Sequence, residues 1–561
     1  MLRVRNTSSL EKVFIDSHIE DYAEQNSEKI FANQIFAYQV VMNNDYGDNM
    51  LLEVEVESEI KDYISVREVQ SVPSEMPVRP GSDERARTSI GLYPDVLRPL
   101  NYFGRVFLVH GQTRSLWVEV APEAKIEGTF EIKIRLRGSD FVIAKDADFG
   151  FKKNGEILCE TTFNIEISRV KLPEQTLMFT QWFYTDCLAN YYNVEIFSDK
   201  HFEICERFIR AAIRAGRTMI LTPLLTPALD TLVGWERPTT QLVKIKKHGD
   251  DYEFDFSLME RWLDMCNRCG VKQYEISHFF SQWGAYHAPK VVATVNGEEK
   301  RIFGWDTDAL STEYVSFLRQ LIKSFIDFMK ARGEDKKCWF HISDEPHTEC
   351  LEQYKKNKEA IGDLLKDYHI MDALSNYEFY STGSVDTPVP STRSIAPFLE
   401  NNVPNLWCYY CGGICNGQSN CHMAMTQSRT RFIGVQMFKY NIVGFLNWGY
   451  NFYYDRGSCD VIDPFGTTDG YGFERSGDGF MVYPGQKGMP WESIRMRAFY
   501  EGLEDMRLFQ LAEKLYSHEQ VVEEIEKICG TVVFDKCVND AKTMLAIRHR
   551  INELVFAKTE K

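Results

Sequence analysis

Asp344 and Glu345 stand side by side in His341-Ile-Ser-Asp-Glu-Pro-His347, directly after the apolar run Cys338-Trp-Phe340. Two neighbouring carboxyls feel each other's charge, so a shared pocket raises the pKa of one of them. The result is a proton donor beside an anion at neutral pH, the division of labour that glycoside cleavage requires. Pro346 discourages further strand pairing at this point, and barrel enzymes carry their catalytic groups at such C-terminal strand ends. Read without chemistry, the same two acids would sit exposed before a helix over Cys350–Lys366 and favour its N-terminal dipole.

Adjacency selects among mechanisms. The usual two-carboxylate scheme needs acids about 5 Å or more apart, flanking the sugar. Neighbours in sequence rarely straddle a ring that way. They suit a substrate that brings its own nucleophile: the carbonyl oxygen of a 2-acetamido group attacks C1 and closes an oxazolinium ring. One acid then protonates the leaving oxygen, while the other carboxylate holds and charge-stabilises the acetamido N–H. Substrate assistance of this kind is a known exception to the standard scheme. A double displacement on another sugar is the competing enzyme reading, with Asp186, Glu275 or Asp478 as the further carboxylate. A carbohydrate-binding protein with a decayed site is the non-enzymatic one.

The elements around the pair divide into two halves. Ser115–Val120, Thr129–Leu136 and Ile157–Ile167 alternate apolar and polar residues, the period of half-buried strands, and Leu51–Val56 and Arg105–His110 add further strand candidates. They predict an N-terminal antiparallel β-sandwich over 1–170. From about 171 short apolar runs alternate with helical spacing. The expected strands are Thr176–Trp182, Thr218–Thr222, Lys272–His278, Cys338–Asp344, Met371–Tyr377, Asn405–Tyr410, Ile442–Trp448 and Gly479–Tyr483. Helices are expected over Asp199–Ala215, Ser257–Arg268, Thr312–Arg332 and Cys350–Lys366, and a hairpin around His248-Gly249-Asp250. Repeated strand–helix units predict a (β/α)8 TIM-type barrel over 171–516, followed by C-terminal helices over 517–561 packed on it.

Composition is compatible with this reading. The chain has 561 residues, 44% hydrophobic and 26% charged, with a formal charge of −17. An acidic balance argues against nucleic acid as a partner, since phosphate binding needs clustered Lys and Arg. No apolar run reaches the length of a membrane span. The N-terminus lacks a signal-peptide core, and 14 scattered Cys read as reduced thiols, so a cytoplasmic location is expected. No Gly-rich dinucleotide loop, Walker motif or G-x-S-x-G elbow is present.

Several strings carry a family resemblance. The Asp344-Glu345 pair after the fourth strand, Gly444-Phe-Leu-Asn-Trp-Gly-Tyr450, Gly477-Asp-Gly-Phe-Met-Val-Tyr-Pro-Gly485, Ser493-Ile-Arg-Met-Arg497 and Glu501-Gly-Leu-Glu-Asp505 resemble glycoside hydrolase family 123. Leu116-Trp-Val-Glu-Val120 through Gly128 is similar to the sandwich that precedes the barrel in that family. The resemblance covers nearly the whole chain. It implies an exo-acting, retaining β-N-acetylgalactosaminidase that removes terminal β-linked GalNAc, as on glycosphingolipid glycans, through an oxazoline. It further implies Glu345 as general acid/base and Asp344 as the residue that orients the acetamido group.

A sugar pocket needs an aromatic platform and convergent hydrogen-bonding groups. The candidates at expected strand ends are Trp182, His278, Trp283, Tyr377, Trp407, Tyr409, Tyr410, Asn447, Trp448 and Asp478, each of which has an alternative reading as core packing. Trp448 and Tyr409 are the first choices for stacking. Tyr377 or Tyr410 is the expected donor to the acetamido oxygen. The turn-rich Thr467–Gly479 stretch is expected to cover the pocket. Cys408, Cys411, Cys415 and Cys421 do not have the spacing of a two-knuckle zinc site. His341 and His347 flank the acids, but an acid pair needs no metal. No metal and no cofactor are expected; the expected partner is a glycan with a terminal β-linked N-acetylhexosamine.

Overall fold

A computed structural model of the protein describes residues 2–45, 48–79, 82–83, 85–100, 104–139, 141–143, 149–151 and 155–560. All five candidate stretches of the N-terminal half fall on strands, Arg105–His110 through Leu108. They belong to two five-stranded sheets. One runs in the order Leu2–Ser8, Phe36–Asn44, Thr113–Val120, Ile64–Ser74, Gly91–Pro99; the other runs Ser27–Ile30, Ile157–Ile167, Gly128–Gly138, Met50–Glu57, Arg105–Leu108. Every pairing is antiparallel except that of Ser27–Ile30 with Ile157–Ile167. Tyr38, Val40, Leu116 and Val118 of the first sheet meet Ile132, Ile134, Phe163 and Ile165 of the second in one buried cluster. Alternate residues of Gly128–Gly138 point outward, which is why its periodicity is visible in the sequence. Phe36–Asn44 is buried at nearly every position and has no such period.

The second half is the expected barrel. Its eight strands are parallel and follow one another in chain order: Met178–Gln181, Met219–Thr222, Gln273–Ile276, Cys338–Phe340, His369–Leu374, Thr387–Pro390, Trp407–Tyr409 and Gly444–Asn447. Strand eight pairs with strand one. Between strands six and seven the ring closes through the Ser391–Tyr409 bridge, where Thr392 N donates to Tyr409 O at 2.9 Å.

One strand of the expected set is corrected. Gly479–Tyr483 is not a barrel strand: Val482–Pro484 instead pairs with Pro490–Glu492 as a small hairpin. The true sixth strand is Thr387-Pro-Val-Pro390. Its two prolines cannot donate to a ladder and disguise it as a turn. The hairpin around Gly249 forms as expected, and joins Val291–Val295 and Glu298–Phe303 in a four-stranded sheet inserted around strand three.

The helix Ile494–Glu513 joins the halves. Its Ile494 packs under Trp117 on the outer face of the first sandwich sheet. Arg495 is paired with Asp95 of the sandwich, both fully buried, and Arg497 faces Glu119 and Glu492. Glu501 and Asp505 pair with Arg431. Gly434 meets the carbonyl of Gly502 so closely that a Cβ there would lie 2.0 Å from it. Helices His518–Cys529 and Ala541–Thr559 pack behind, and Phe556 of the last stacks on Phe31 at 4.8 Å. Among the described residues no helix is long and apolar enough to cross a membrane.

Candidate active site

The strand-four exit is built by its two neighbours. Ile342 O accepts from Phe280 N at 3.1 Å and Asp344 O from Trp283 N at 2.9 Å, both from the strand-three exit; Glu345 N donates to Ala373 O of strand five at 3.1 Å. Glu345 adopts φ 42°, a left-handed conformation that is costly for a side-chain-bearing residue. Asp230 and Trp283 do the same, at 49° and 62°. All three line one pocket.

That pocket sits at the C-terminal end of the barrel and encloses about 620 Å³ of empty space, mouth included. Asp344, Glu345, Trp182, Trp283, Tyr409, Trp448 and Asp478 line it, together with Asp230, Gln282, Ala373, Cys411, Gly412, Leu446, Phe473 and Glu474. Apolar and aromatic walls therefore surround five carboxyl groups.

The acids are individually held. Asp344 is only 4% exposed, and its Oδ2 accepts from Gln282 Nε2 at 3.3 Å. Burial, then the charges of Glu345 and Asp230, push its pKa well above the usual carboxyl range; the nearby His341 pulls the other way. Glu345 Oε1 accepts from the Tyr409 hydroxyl at 2.5 Å. Asp478 accepts from Trp448 Nε1 at 2.9 Å and lies 3.2 Å from His422 Nε2. Asp230 is pushed up to about 7 by burial, and Glu474 to about 7 by burial and then by Asp478. Gly412 makes room for Glu474: a Cβ there would lie 2.1 Å from its Oε2.

Beneath the pocket the barrel interior is polar. His341, fully buried, lies between Glu275 Oε1 at 2.8 Å and Asp372 Oδ1 at 2.9 Å. Trp182 Nε1 donates to Glu275 at 2.8 Å, and the Thr180 hydroxyl bonds the other oxygen. Asp372 also accepts from Ile342 N at 3.2 Å and from the Tyr354 hydroxyl. Burial alone would favour neutral His341, but hydrogen bonds and charge from Asp372 and Glu275 raise it to about 10.

The family model for the glycoside hydrolase 123 catalytic domain matches residues 182–512. The chain belongs to glycoside hydrolase family 123. Its fold is similar over the full length to that of a family 123 glycoside hydrolase from Clostridium perfringens, a structure that details glycolipid glycan hydrolysis. The two are 14% identical with a TM-score of 0.72, covering 100% of this chain and 98% of that one. A family 5 mannosidase from Rhizomucor miehei is 12% identical with a TM-score of 0.32, covering 68% of this chain and 99% of its own. Xylanase 10B from Thermotoga maritima is 12% identical with a TM-score of 0.32, covering 59% and 96%. No curated protein sequence matches the chain.

In this family 123 glycosidase five of the expected binding residues stand off the pocket wall. Trp407 and Tyr409 share the inner face of strand seven, but Trp407 lies lower and fills the barrel against Trp339 at 5.4 Å. Tyr410 points to the opposite face, onto Phe445 at 4.9 Å. Tyr377 packs on Phe398 at 5.2 Å, so neither tyrosine is placed to donate to a bound acetamido oxygen. Asn447 accepts from Gln181 at 2.7 Å and fixes the strand-eight exit. His278 stacks on His341 at 4.1 Å, below Trp182.

The acids weighed for double displacement are also engaged. Asp186 takes a bidentate pair from Arg237 at 2.7 and 2.9 Å. Both oxygens of Glu275 are bonded as above, and Asp478 is held by His422 and Trp448. The four cysteines beginning at Cys408 do not converge. Among the described residues, the only group of three potential metal donors within reach of one ion is His278, His341 and Asp372, and His341 spends both nitrogens on carboxylates.

Asp230 and Gln282 lie on irregular loops, with no motif in the sequence to mark them. Phe473 and Glu474 lie in the turn-rich Thr467–Gly479 stretch, where nothing in the sequence separates wall residues from turn residues.

Proposed function

We propose that the protein is an exo-acting, retaining β-N-acetylgalactosaminidase working by substrate assistance. The observation that carries this reading is that sequence-adjacent Asp344 and Glu345 line one aromatic-walled pocket at the barrel mouth. Glu345, steered by Tyr409, protonates the glycosidic oxygen and later activates water. Asp344 receives the acetamido N–H and faces the positive charge that grows as the carbonyl oxygen closes on C1. An anion made costly by burial gains most when that charge appears, so its stabilisation falls on the transition state rather than the ground state. Trp448 supplies a platform for the sugar face. The likeness to a glycolipid glycan hydrolase supports glycolipid-type glycans as the substrate class.

The test is a panel of aryl glycosides. The β-N-acetylgalactosaminide is expected to turn over, with the thiazoline analogue of the oxazoline inhibiting it, while the β-galactoside, which has no amide, is not. Equal turnover of the two would end the substrate-assisted reading. Preference for the gluco over the galacto epimer would retain the mechanism and change the sugar.

A further inference from the structure

The pocket wall carries five carboxyl groups and, among its described residues, no Lys, Arg or His. The Asp344 carboxyl is therefore placed by the Gln282 amide and by its own strand exit. An imidazole set between two carboxylates, His341, lies three residues before it on that exit. We propose that the buried Glu275–His341–Asp372 chain is the positioning device of the acid pair. It deepens the reading of Asp344 given above and rests on it.

Three features carry the inference. First, the chain is mechanically tied to both sides of the pocket floor. Glu275 orients Trp182, a wall residue, through the indole N–H at 2.8 Å, while Asp372 grips the strand-four exit through Ile342 N at 3.2 Å. Second, both ring nitrogens of His341 meet a carboxylate oxygen within 2.9 Å, the arrangement of a doubly protonated ring. Third, little else surrounds the imidazolium. It faces Glu275 from strand three and Asp372 from strand five, and its charge reaches Asp344. His278 lies flat on it at 4.1 Å, with both its own nitrogens lacking a hydrogen-bond partner. Burial and the His341 charge hold His278 neutral, so it shields the site without competing for the carboxylates. A buried ion pair of this kind is weak evidence for stability as such. Its place under the reacting acid gives it another use.

His341→Gln in the full-length enzyme is the test, assayed on phenyl and dinitrophenyl β-N-acetylgalactosaminides. The expected loss in kcat/KM is about 10²-fold, the scale on which a small misplacement of a reacting group acts. It is expected to fall on kcat, to be equal for the two leaving groups, and to vanish in an Asp344→Asn background, because residues acting as one unit are not additive. A folded His341→Gln enzyme within threefold of wild type would overturn the proposal, as would a loss that persists undiminished beside Asp344→Asn. Glu275→Gln preserves shape and carries the same comparison if His341→Gln does not fold. Failure of both to fold would assign the chain to stability alone and reject the proposal. If the wild-type enzyme turns over no N-acetylhexosaminide, it is the proposed activity that fails.

Discussion

The hydroxyl of Tyr409, at the end of barrel strand seven, donates to Oε1 of Glu345, past the end of strand four, at 2.5 Å. This bond crosses the barrel mouth and ties together two elements that are not neighbours in the sheet. Burial and the charge of Glu345 push the Tyr409 hydroxyl well up, so it stays a donor across any working pH. The left-handed turn at Glu345 and this single bond together set the direction in which the carboxyl points.

Tyr409→Phe removes the bond and keeps the ring. Hydrogen bonds to charged groups contribute about 1.5–3 kcal/mol, which corresponds to a loss of roughly 10- to 100-fold in kcat/KM. The loss is expected to be larger for phenyl than for dinitrophenyl leaving groups, because the bond aims a proton. A leaving-group plot whose slope is unchanged would show that Tyr409 does not act through Glu345.

The two acids of the pair are separable by the same plot. Glu345→Gln is expected to be severe on poor leaving groups and mild on activated ones, which need no proton. Asp344→Asn is expected to lower both rates alike, since the amide must attack whichever group departs. Swapped patterns would exchange the roles of the two residues.

Much of this architecture is legible in the sequence, and the exceptions have physical causes. Strands with one solvated face, such as Gly128–Gly138, show their period; Phe36–Asn44, covered on both faces, does not. Thr387–Pro390 is hidden by its prolines, and Val482–Pro484 imitates a barrel strand because Phe480 and Met481 before it are buried and extend the apolar run. At the site, Asp344 and Glu345 are visible because adjacency and Pro346 mark them. Trp407 and Tyr409 look equivalent in sequence, since both face inward. Only depth along the strand separates a core residue from a pocket residue, and depth has no sequence signature. Asp230 and Gln282 are brought to the wall by loops that fold over the barrel. The Ser493–Arg497 and Glu501–Asp505 strings, which carry much of the family resemblance, reach the sandwich through Arg495 with Asp95 and through Glu504 with Ile35 N, and pair with Arg431 of the barrel, rather than touching the pocket.

Asp230 and Glu474 give the enzyme a pH signature. Both carboxyls are raised to about 7 in the folded state, while an unfolded carboxyl titrates near about 4. The folded protein therefore holds these protons more tightly than the unfolded one. Their stabilising contribution is complete below about pH 4 and is lost as pH rises through about 7. Asp230→Asn removes one of the two titrations. The difference in Tm between variant and wild type is expected to move in the variant's favour from pH 5 to pH 8, followed by thermal denaturation across that range. A difference that does not change with pH would show that Asp230 titrates normally.

Asp95 and Arg495 test whether the interface supports the site. Arg495 Nε and Nη2 reach Asp95 at 2.8 and 2.9 Å, and Tyr483 donates to the same carboxylate at 2.6 Å. The remaining guanidinium contacts fall on the carbonyls of Gly477 at 2.6 Å and Phe480 at 3.0 Å, either side of the pocket residue Asp478, on the carbonyl of Cys421 at 3.1 Å and on Met481 Sδ at 3.2 Å. Asp95→Asn leaves a buried guanidinium with carbonyls but no anion. Breaking a buried pair from one side costs about 3–5 kcal/mol, so the urea midpoint is expected to drop by about 1–2 M at a slope of about 3 kcal/mol/M, the upper end of the usual range, as suits a long chain. Because the same arginine holds the Gly477–Phe480 turn, KM is expected to rise as well, through Asp478 and its partner Trp448. A double change of Asp95→Leu and Arg495→Met removes both charges and is expected to recover much of the midpoint while leaving KM high. Recovery of both together would show that the pair acts on stability alone and that the pocket wall does not depend on it.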